Sequence, residues 1–224
     1  MTPDPETPVV ELQGAGDEAA PLLPVSDDPC ERADAARNRK KILVAAERLF
    51  TEFGTDNVSM DAVAEAAGVG KGTLYRRFGD RSGLARAILD EHEREFQEQL
   101  IRGEPPLGPG ASPGDRLVAY GRRRLELTER FGDLLLAAES GAPGARFQGP
   151  VYATHRMHVL SLLKEMSPGV DHEYFADVLL SALSAELVNF WRGDVGIGEA
   201  SLAKSFEDLI RVVEASAACP TDSP

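Results

Sequence analysis

The chain has 224 residues, of which 42% are hydrophobic and 27% charged, so it can bury one good core or join a small domain to a larger one. Its two cysteines, Cys30 and Cys219, show no metal-ligand spacing, which counts against a disulfide framework or a zinc site. No apolar run reaches membrane-spanning length, and no signal segment opens the sequence. We therefore expect a cytoplasmic protein with no metal, no cofactor and no membrane partner.

The formal net charge of −13 is unevenly distributed along the chain. Residues 1–31 hold eight acids and no Lys or Arg, residues 32–81 hold ten bases against seven acids, and the remainder holds fourteen bases against twenty-two acids. The three segments therefore carry −8, +3 and −8. Because a Debye length of about 8 Å screens distant charge at physiological salt, the middle segment can still bind a polyanion.

Both ends of the chain are predicted to be disordered tails. Residues 1–34 are rich in acids and proline and have little apolar periodicity, and residues 217–224 are short and polar. For the N-terminal segment we favour a dispensable tail over an acidic arm that competes for the cationic segment.

The first predicted helix runs from Ala35 to Phe53 and ends at Gly54. Its apolar side chains recur at helical spacing, which predicts one buried face. That face is expected to consist of Ile42, Leu43, Ala46, Leu49, Phe50 and Phe53.

Two short helices joined by a glycine-rich turn are predicted next. Ser59 can cap the first of them, and Gly68 supplies the backbone freedom that ends it. In the second, Lys71 to Phe78, the side chains of Leu74 and Phe78 lie four residues apart and share one face. One side of this helix is therefore expected to be anchored, and the other is left to contact a partner.

The outward side of the second short helix is polar and cationic. It carries Gly72, Thr73 and Arg76, flanked by Lys71, Tyr75 and Arg77. Guanidinium, ammonium, hydroxyl and phenol groups beside a glycine are suited to contacts with phosphates and base edges. A helix, a tight turn and an outward-facing second helix form the helix-turn-helix layout. The pattern alone leaves open the alternative of two ordinary solvated helices.

A longer string makes the helix-turn-helix interpretation specific. The sequence GVGKGTLYRRFGDRSGL, preceded by RKKILVAAERLFTEFG, resembles the N-terminal DNA-binding domain of TetR-type transcriptional regulators over about residues 37–84. The resemblance is carried by Leu49, Phe50, Gly54, Ala64, Gly68, Val69, Lys71, Gly72, Leu74, Tyr75, Phe78 and Leu84. Gly70 departs from it, because serine is frequent there and would cap the helix and offer a phosphate contact.

The resemblance implies double-stranded DNA as a partner of a domain at residues 35–84. We expect Thr73, Tyr75 and Arg76 to lie near bases or flanking phosphates. The residues expected to position the DNA backbone are Ser59, Lys71, Gly72, Arg77 and Arg81.

Helical spacing of apolar residues continues through residues 85–216, so the predicted fold class is all-α, with a larger helical domain after the three-helix domain. A fourth helix, capped by Asp80, is long enough to enter the second domain, and residues 103–114 form a loop. Further helices are predicted around Leu117 to Leu127, Leu134 to Ala138 and Val151 to Met166. The last two are predicted at Asp171 to Trp191 and Glu199 to Ala215.

The resemblance also implies a regulatory role for the larger domain. Regulators of this type commonly bind a small-molecule effector among their middle helices and form homodimers through their last two helices. Candidate pocket residues are Tyr120, Phe131, Tyr152, Phe175 and Trp191, although aromatic residues at helical spacing more often belong to a core.

Catalysis is the weaker interpretation of the sequence. No nucleophile elbow, phosphate loop or dinucleotide fingerprint occurs. His155, His158 and His172 lack the cysteines or matched acids of a metal site. The predicted function is a ligand-responsive, DNA-binding regulator, most simply a repressor. The alternatives are a small-molecule-binding helical protein that has lost DNA recognition, which a gel shift would test, and a helical enzyme, which turnover would reveal.

Overall fold

A computed structural model describes residues 29–139, 144–166 and 171–218 of the chain. Within these residues the regular structure consists of nine α-helices and two short 3-10 turns, which confirms the all-α prediction. The helices are α1 Pro29–Phe53, α2 Met60–Ala67, α3 Lys71–Phe78, α4 Arg81–Arg102, α5 Pro113–Glu139, α6 Pro150–Met166, α7 His172–Ala182, α8 Ala185–Gly193 and α9 Glu199–Ala218.

The buried face of α1 anchors the three N-terminal helices. Ile42 and Ala46 are completely buried, and they belong to one core with Phe50, with Val63 of α2 and with Leu74 of α3. This core confirms most of the predicted apolar stripe. Phe53 was predicted wrongly, because it lies in the last turn of α1 and is 51% exposed.

The fourth helix runs without interruption from Arg81 to Arg102. Asp80 caps it as predicted, since its Oδ1 accepts a 2.7 Å hydrogen bond from the N–H of Gly83. Leu84 and Phe96, near opposite ends of the helix, are both completely buried. The helix therefore crosses the predicted domain boundary at residues 84 and 85, and residues 103–112 connect it to α5.

The fifth helix joins two helices that were predicted separately. It is continuous over Pro113–Glu139 with a kink at Phe131, where φ is −130° and ψ is 22°. Helix α5 packs against α9 closely enough that a Cβ on Gly121 would lie 2.2 Å from the ring of Phe206. Glycine is thus required at this position by the neighbouring helix, and the low helix propensity of glycine is offset by packing.

The segment predicted as one helix from Asp171 to Trp191 is divided into α7 and α8. Leu183 leaves the helical conformation, and the Oγ of Ser184 accepts a hydrogen bond from the N–H of Leu187 at the start of α8. A serine side chain that satisfies a free backbone N–H favours a new helix start over continuation. The apolar spacing that predicted one helix is the same in both arrangements.

The ends of the chain differ from the prediction in two respects. Helix α9 continues to Ala218, past the predicted end at Ala215 and into the predicted C-terminal tail. Helix α1 begins at Pro29, six residues before the predicted start at Ala35, and Asp34 pairs with Arg37 one turn later. The rest of the predicted N-terminal tail and most of the predicted C-terminal tail lie outside the described residues. Among the helices of the described segments, none is both long and apolar enough to cross a membrane.

Candidate nucleic-acid interface

The turn between α2 and α3 is built by local hydrogen bonds. The Oγ of Ser59 accepts from the N–H of Ala62 at 3.1 Å, which caps α2 as predicted. Gly68 adopts φ 65° and ψ 38°, a left-handed conformation that costs glycine little, and its N–H donates back to the last turn of α2. Ser59 therefore fixes the start of α2, and Gly68 ends α2 and begins the turn into α3.

Helix α3 is held by its apolar side. Leu74 is completely buried, and Phe78 packs against the same core while remaining partly exposed. The guanidinium carbon of Arg39, on α1, lies 5.8 Å from the centre of the Phe78 ring, a distance typical of a cation–π contact. The helix is therefore fixed in rotation with its polar side outward.

The outward side of α3 presents the predicted contact residues together. Tyr75 is 48% exposed, and Arg76 and Arg77 are exposed beside it. Gly72 is exposed near the start of the helix, and a Cβ there would meet open space. Thr73 is partly exposed. A flat, cationic helical surface with a phenol and a small residue is suited to close approach to a DNA groove.

One predicted phosphate contact is held by a carboxylate. The Nζ of Lys71 lies 2.5 Å from the Oδ2 of Asp61 on α2, and both side chains are more than half exposed. Hydrogen bonding to Asp61 and the charge of that carboxylate raise the pKa of Lys71, so the ammonium remains charged.

A second predicted phosphate contact is also engaged. Arg81 donates to the backbone oxygen of Asp56 at 2.7 Å and to its Oδ1 at 2.9 Å, which ties the start of α4 to the 3-10 turn Thr55–Asn57. Neither acid is identifiable as a partner from sequence spacing. Asp61 and Lys71 are ten residues apart, and Asp56 and Arg81 twenty-five, so only the folded turn brings them together.

Comparison with known proteins decides the family. The model of the family described as bacterial regulatory proteins, tetR family, matches residues 42–88. An HTH-type transcriptional regulator of Staphylococcus aureus (strain MRSA252) is 45% identical over 159 residues, which cover 71% of this chain and 84% of that protein.

The chain belongs to the TetR family of transcriptional regulators.

Other relatives of this TetR-family chain match over less of their length. A regulator from Staphylococcus aureus (strain bovine RF122 / ET3-1) is 41% identical over 69 residues, and the match spans 31% of this chain and 37% of that relative. Another, from strain USA300, is 45% identical over 58 residues, which are 26% of this chain and 31% of the relative. Similarity in these cases is concentrated in a short part of the chain.

Solved structures show that the TetR-family fold extends beyond the helix-turn-helix. A TetR-family regulator from Pectobacterium atrosepticum has a TM-score of 0.60 at 21% identity and covers 84% of this chain and 98% of its own. NalD of Pseudomonas aeruginosa, the secondary repressor of the MexAB-OprM multidrug efflux pump, has a TM-score of 0.52 at 20% identity and covers 80% of this chain and 98% of its own.

The C-terminal helices of the TetR-family chain contain a groove of about 800 Å³ between α6, α7 and α8. Its lining is mainly apolar and aromatic. The lining residues are Phe147, Tyr152, Ala153, Arg156, Tyr174, Asp177, Val178, Ser181, Ala182 and Leu187. Asp177 accepts hydrogen bonds from Tyr152 Oη at 2.6 Å and from Arg156 Nε at 2.7 Å.

Of the five predicted pocket residues, Tyr152 lines this groove. Tyr120 and Phe131 are buried, and Tyr120 stacks on Phe96 at 5.5 Å between ring centres. Phe175 and Trp191 are partly buried and pack against the core. The structure thus distributes the five aromatic residues between core and groove and does not gather them around one cavity.

Beside the buried ring of Tyr120, a histidine of α6 contacts a carboxylate of α4 in the interior. His155 Nε2 is 2.9 Å from a carboxylate oxygen of Glu93. Burial acts to raise the pKa of Glu93, but the hydrogen bond and charge of His155, with help from Gln97 and Arg124, outweigh it and lower that pKa below its ordinary value. The contact between His155 and Glu93 therefore links α4 to α6 in the interior.

A largely buried carboxylate of α1 contacts both α4 and α5. The carboxylate oxygens of Glu47 lie 3.1 Å from His92 Nε2 on α4 and 2.5 Å from Arg130 on α5. The imidazole ring of His92 lies 4.7 Å from the ring of Phe131, the residue at the α5 kink. Glu47 therefore has contacts with both α4 and α5.

Proposed function

We propose that this TetR-family regulator is a repressor that binds a palindromic operator as a homodimer and is released from DNA by a small-molecule effector. Each subunit inserts α3 into a major groove, and the two-fold symmetry of the dimer requires two half-sites on one face of the duplex. The repressor assignment is supported by NalD, a repressor that shares the fold.

The observation that carries the DNA-binding proposal is the two-sided character of α3. Leu74 is completely buried while Tyr75 and Arg76, its neighbours in sequence, are exposed. In the proposed complex Thr73, Tyr75 and Arg76 contact bases or nearby phosphates. Ser59, Lys71, Gly72, Arg77 and Arg81 contact the DNA backbone.

Selection of binding sites from a pool of random duplexes tests this proposal. Wild-type protein is expected to enrich a palindrome. Arg76→Ala is expected to relax preference at one base position per half-site, because an arginine bidentate to guanine discriminates by about 1–3 kcal/mol.

The matched change Arg81→Ala is expected to weaken binding to all duplexes alike, because phosphate contacts carry no sequence information. Equal losses on selected and random duplexes for both variants would contradict the division of roles.

Dimerisation through the C-terminal helices is supported by their exposed apolar side chains. Phe190 of α8 is 49% exposed and Val212 of α9 is 63% exposed. Such residues on neighbouring helices are typical of a surface that a second copy covers. Light scattering would test this assignment, since Phe190→Asp is expected to shift a dimer to a monomer.

The groove between α6, α7 and α8 is the proposed effector site, because it is concave, mainly apolar and carries a few polar groups that can orient a ligand. An effector there would favour a dimer in which the two α3 helices are wrongly spaced, and a coupling free energy of about 1–3 kcal/mol is sufficient for a useful switch. Compounds that shift the melting temperature should also lower operator affinity. Binding without any effect on operator affinity would refute this part of the proposal.

A further inference from the structure

The α2–α3 surface carries carboxylates where a DNA-binding surface would be expected to carry cations alone. Asp61, in the first turn of α2, lies 2.5 Å from the ammonium of Lys71 in the first turn of α3. The two side chains are 51% and 65% exposed, so the pair stands at the surface and does not support a core. A structural role for the carboxylate is therefore weak.

The arrangement of the ammonium group matters for DNA binding. An ammonium has three N–H donors, and Asp61 engages one side of it. The Lys71 side chain is 65% exposed and its chain neighbour Gly72 is exposed, so the remaining donors are accessible to a partner. Lys71 can consequently reach a DNA group at one defined position while the pair stays intact. The Lys71 side chain cannot adopt other conformations to reach other phosphates without breaking its ion pair with Asp61.

We propose that Asp61 is a specificity-determining residue, which restrains Lys71 and so lowers affinity for DNA of arbitrary sequence more than affinity for the operator. This inference rests on the proposed function and adds a role for an acid within the DNA-binding surface. Nonspecific DNA binding depends on mobile cations that can neutralise phosphates at many positions along the duplex. On the operator the protein binds at one position along the DNA, where Lys71 can contact its DNA group while it remains paired with Asp61. Specific interfaces commonly use such a repulsive element against wrong partners.

Arg81 provides an internal contrast to Lys71. Its guanidinium donates to the backbone oxygen of Asp56 as well as to the carboxylate, so loss of the Asp56 carboxylate leaves one of the two hydrogen bonds in place. Lys71 has Asp61 as its one hydrogen-bonded carboxylate partner in the described segments. Removal of the Asp61 carboxylate is therefore the change that frees a cation.

The experiment measures binding of wild type and Asp61→Asn to two fluorescent duplexes, one random and one selected by the wild type. For Asp61→Asn, affinity for the random duplex at 0.1 M salt is expected to rise about three- to tenfold, and the slope of log affinity against log salt to steepen by about 0.9. Affinity for the selected duplex should rise less, so the ratio of specific to random binding falls.

Two controls separate restraint of Lys71 from a general charge effect. Glu98→Gln removes the acid of the exposed Arg102–Glu98 pair on α4 and makes the same change in net charge. It should leave random-duplex affinity within twofold of wild type. In the Lys71→Ala background, Asp61→Asn should lose most of its effect, because no restrained cation remains to be freed.

The possible outcomes are distinct. An unchanged random-duplex affinity, an equal gain for both duplexes, or the same gain in the Lys71→Ala background would overturn the inference while leaving the proposed function intact. A wild type that binds no duplex would overturn the proposed function and the inference with it.

Discussion

The α2–α3 surface and the interior between α4 and α6 each hold a carboxylate beside a basic side chain, but in opposite environments. On the surface, Lys71 and Asp61 are 65% and 51% exposed, whereas in the interior His155 and Glu93 are 4% and 15% exposed. An exposed pair contributes little to stability, and a buried pair is costly to break. Polar substitutions near α3 should therefore alter DNA binding. Polar substitutions between α4 and α6 should alter folding and its pH dependence.

The largest expected effect concerns the buried side of α3. Leu74→Ala should lower the free energy of unfolding by about 2–4 kcal/mol, because Leu74 is completely buried and its truncation leaves a cavity. DNA binding should fall with it, since α3 loses its anchor. Urea denaturation followed by circular dichroism measures the change.

Tyr75→Ala is the matched control on the outward side of the same helix. Tyr75 is 48% exposed, so its truncation should leave the free energy of unfolding within about 0.5 kcal/mol of wild type. Similar destabilisation by both variants would show that α3 is not two-sided.

The next effect is a pH dependence that originates in the interior. Burial, aided by the charges of Arg116 and His155, lowers the pKa of His158 to about 4. The unfolded imidazole binds a proton near pH 6.5 while the folded one does not, so His158 stabilises the fold above pH 6.5 and this contribution is lost as pH falls towards 4.

Between pH 6.5 and pH 4, the free energy of unfolding of His158→Gln should therefore fall by about 1–2 kcal/mol less than that of the wild type. This value allows for solvent screening of the partly exposed ring. Denaturant titrations at several pH values measure it. Identical pH profiles for wild type and variant would show that His158 does not contribute to the pH dependence of stability.

The smallest expected effect on stability is at the start of α3. Gly70 is the N-cap of α3 and has no side chain to accept a hydrogen bond from a free N–H of that helix. Its φ of −67° is a backbone conformation that any residue can adopt. A Cβ at Gly70 would meet nothing within 4 Å. Gly70→Ser should raise the free energy of unfolding by a few tenths of a kcal/mol, because a serine hydroxyl can accept from a free N–H of α3. A destabilised variant would show that the turn requires glycine for another reason.

Local sequence signals were sufficient to predict the α2–α3 region. Ser59 and Gly68 mark the ends of α2 by capping chemistry, and the spacing of Leu74 and Phe78 identifies the anchored face of α3. These signals act within one or two turns of helix, so they do not depend on the rest of the fold.

The features that the sequence did not predict depend on contacts between distant residues. The pair of Asp61 with Lys71 exists because the turn folds α2 back towards α3, and the groove beside Tyr152 exists because α6, α7 and α8 meet. The break before Ser184 had a local signal in its serine, but the uninterrupted apolar spacing concealed it. Long-range packing, and not residue type, decides which aromatic side chains face a cavity.

Fluorescence anisotropy with two double variants tests the central claim, that the outward side of α3 reads DNA, most directly. Arg76→Ala/Arg77→Ala removes two cations from α3, and Arg122→Ala/Arg123→Ala removes two cations from α5, so the change in net charge is the same. The α3 variant is expected to lose at least about tenfold of the preference of wild type for a selected duplex over a random one. The α5 variant is expected to retain that preference. Equal loss of preference in the two variants, or its retention in both, would contradict the account.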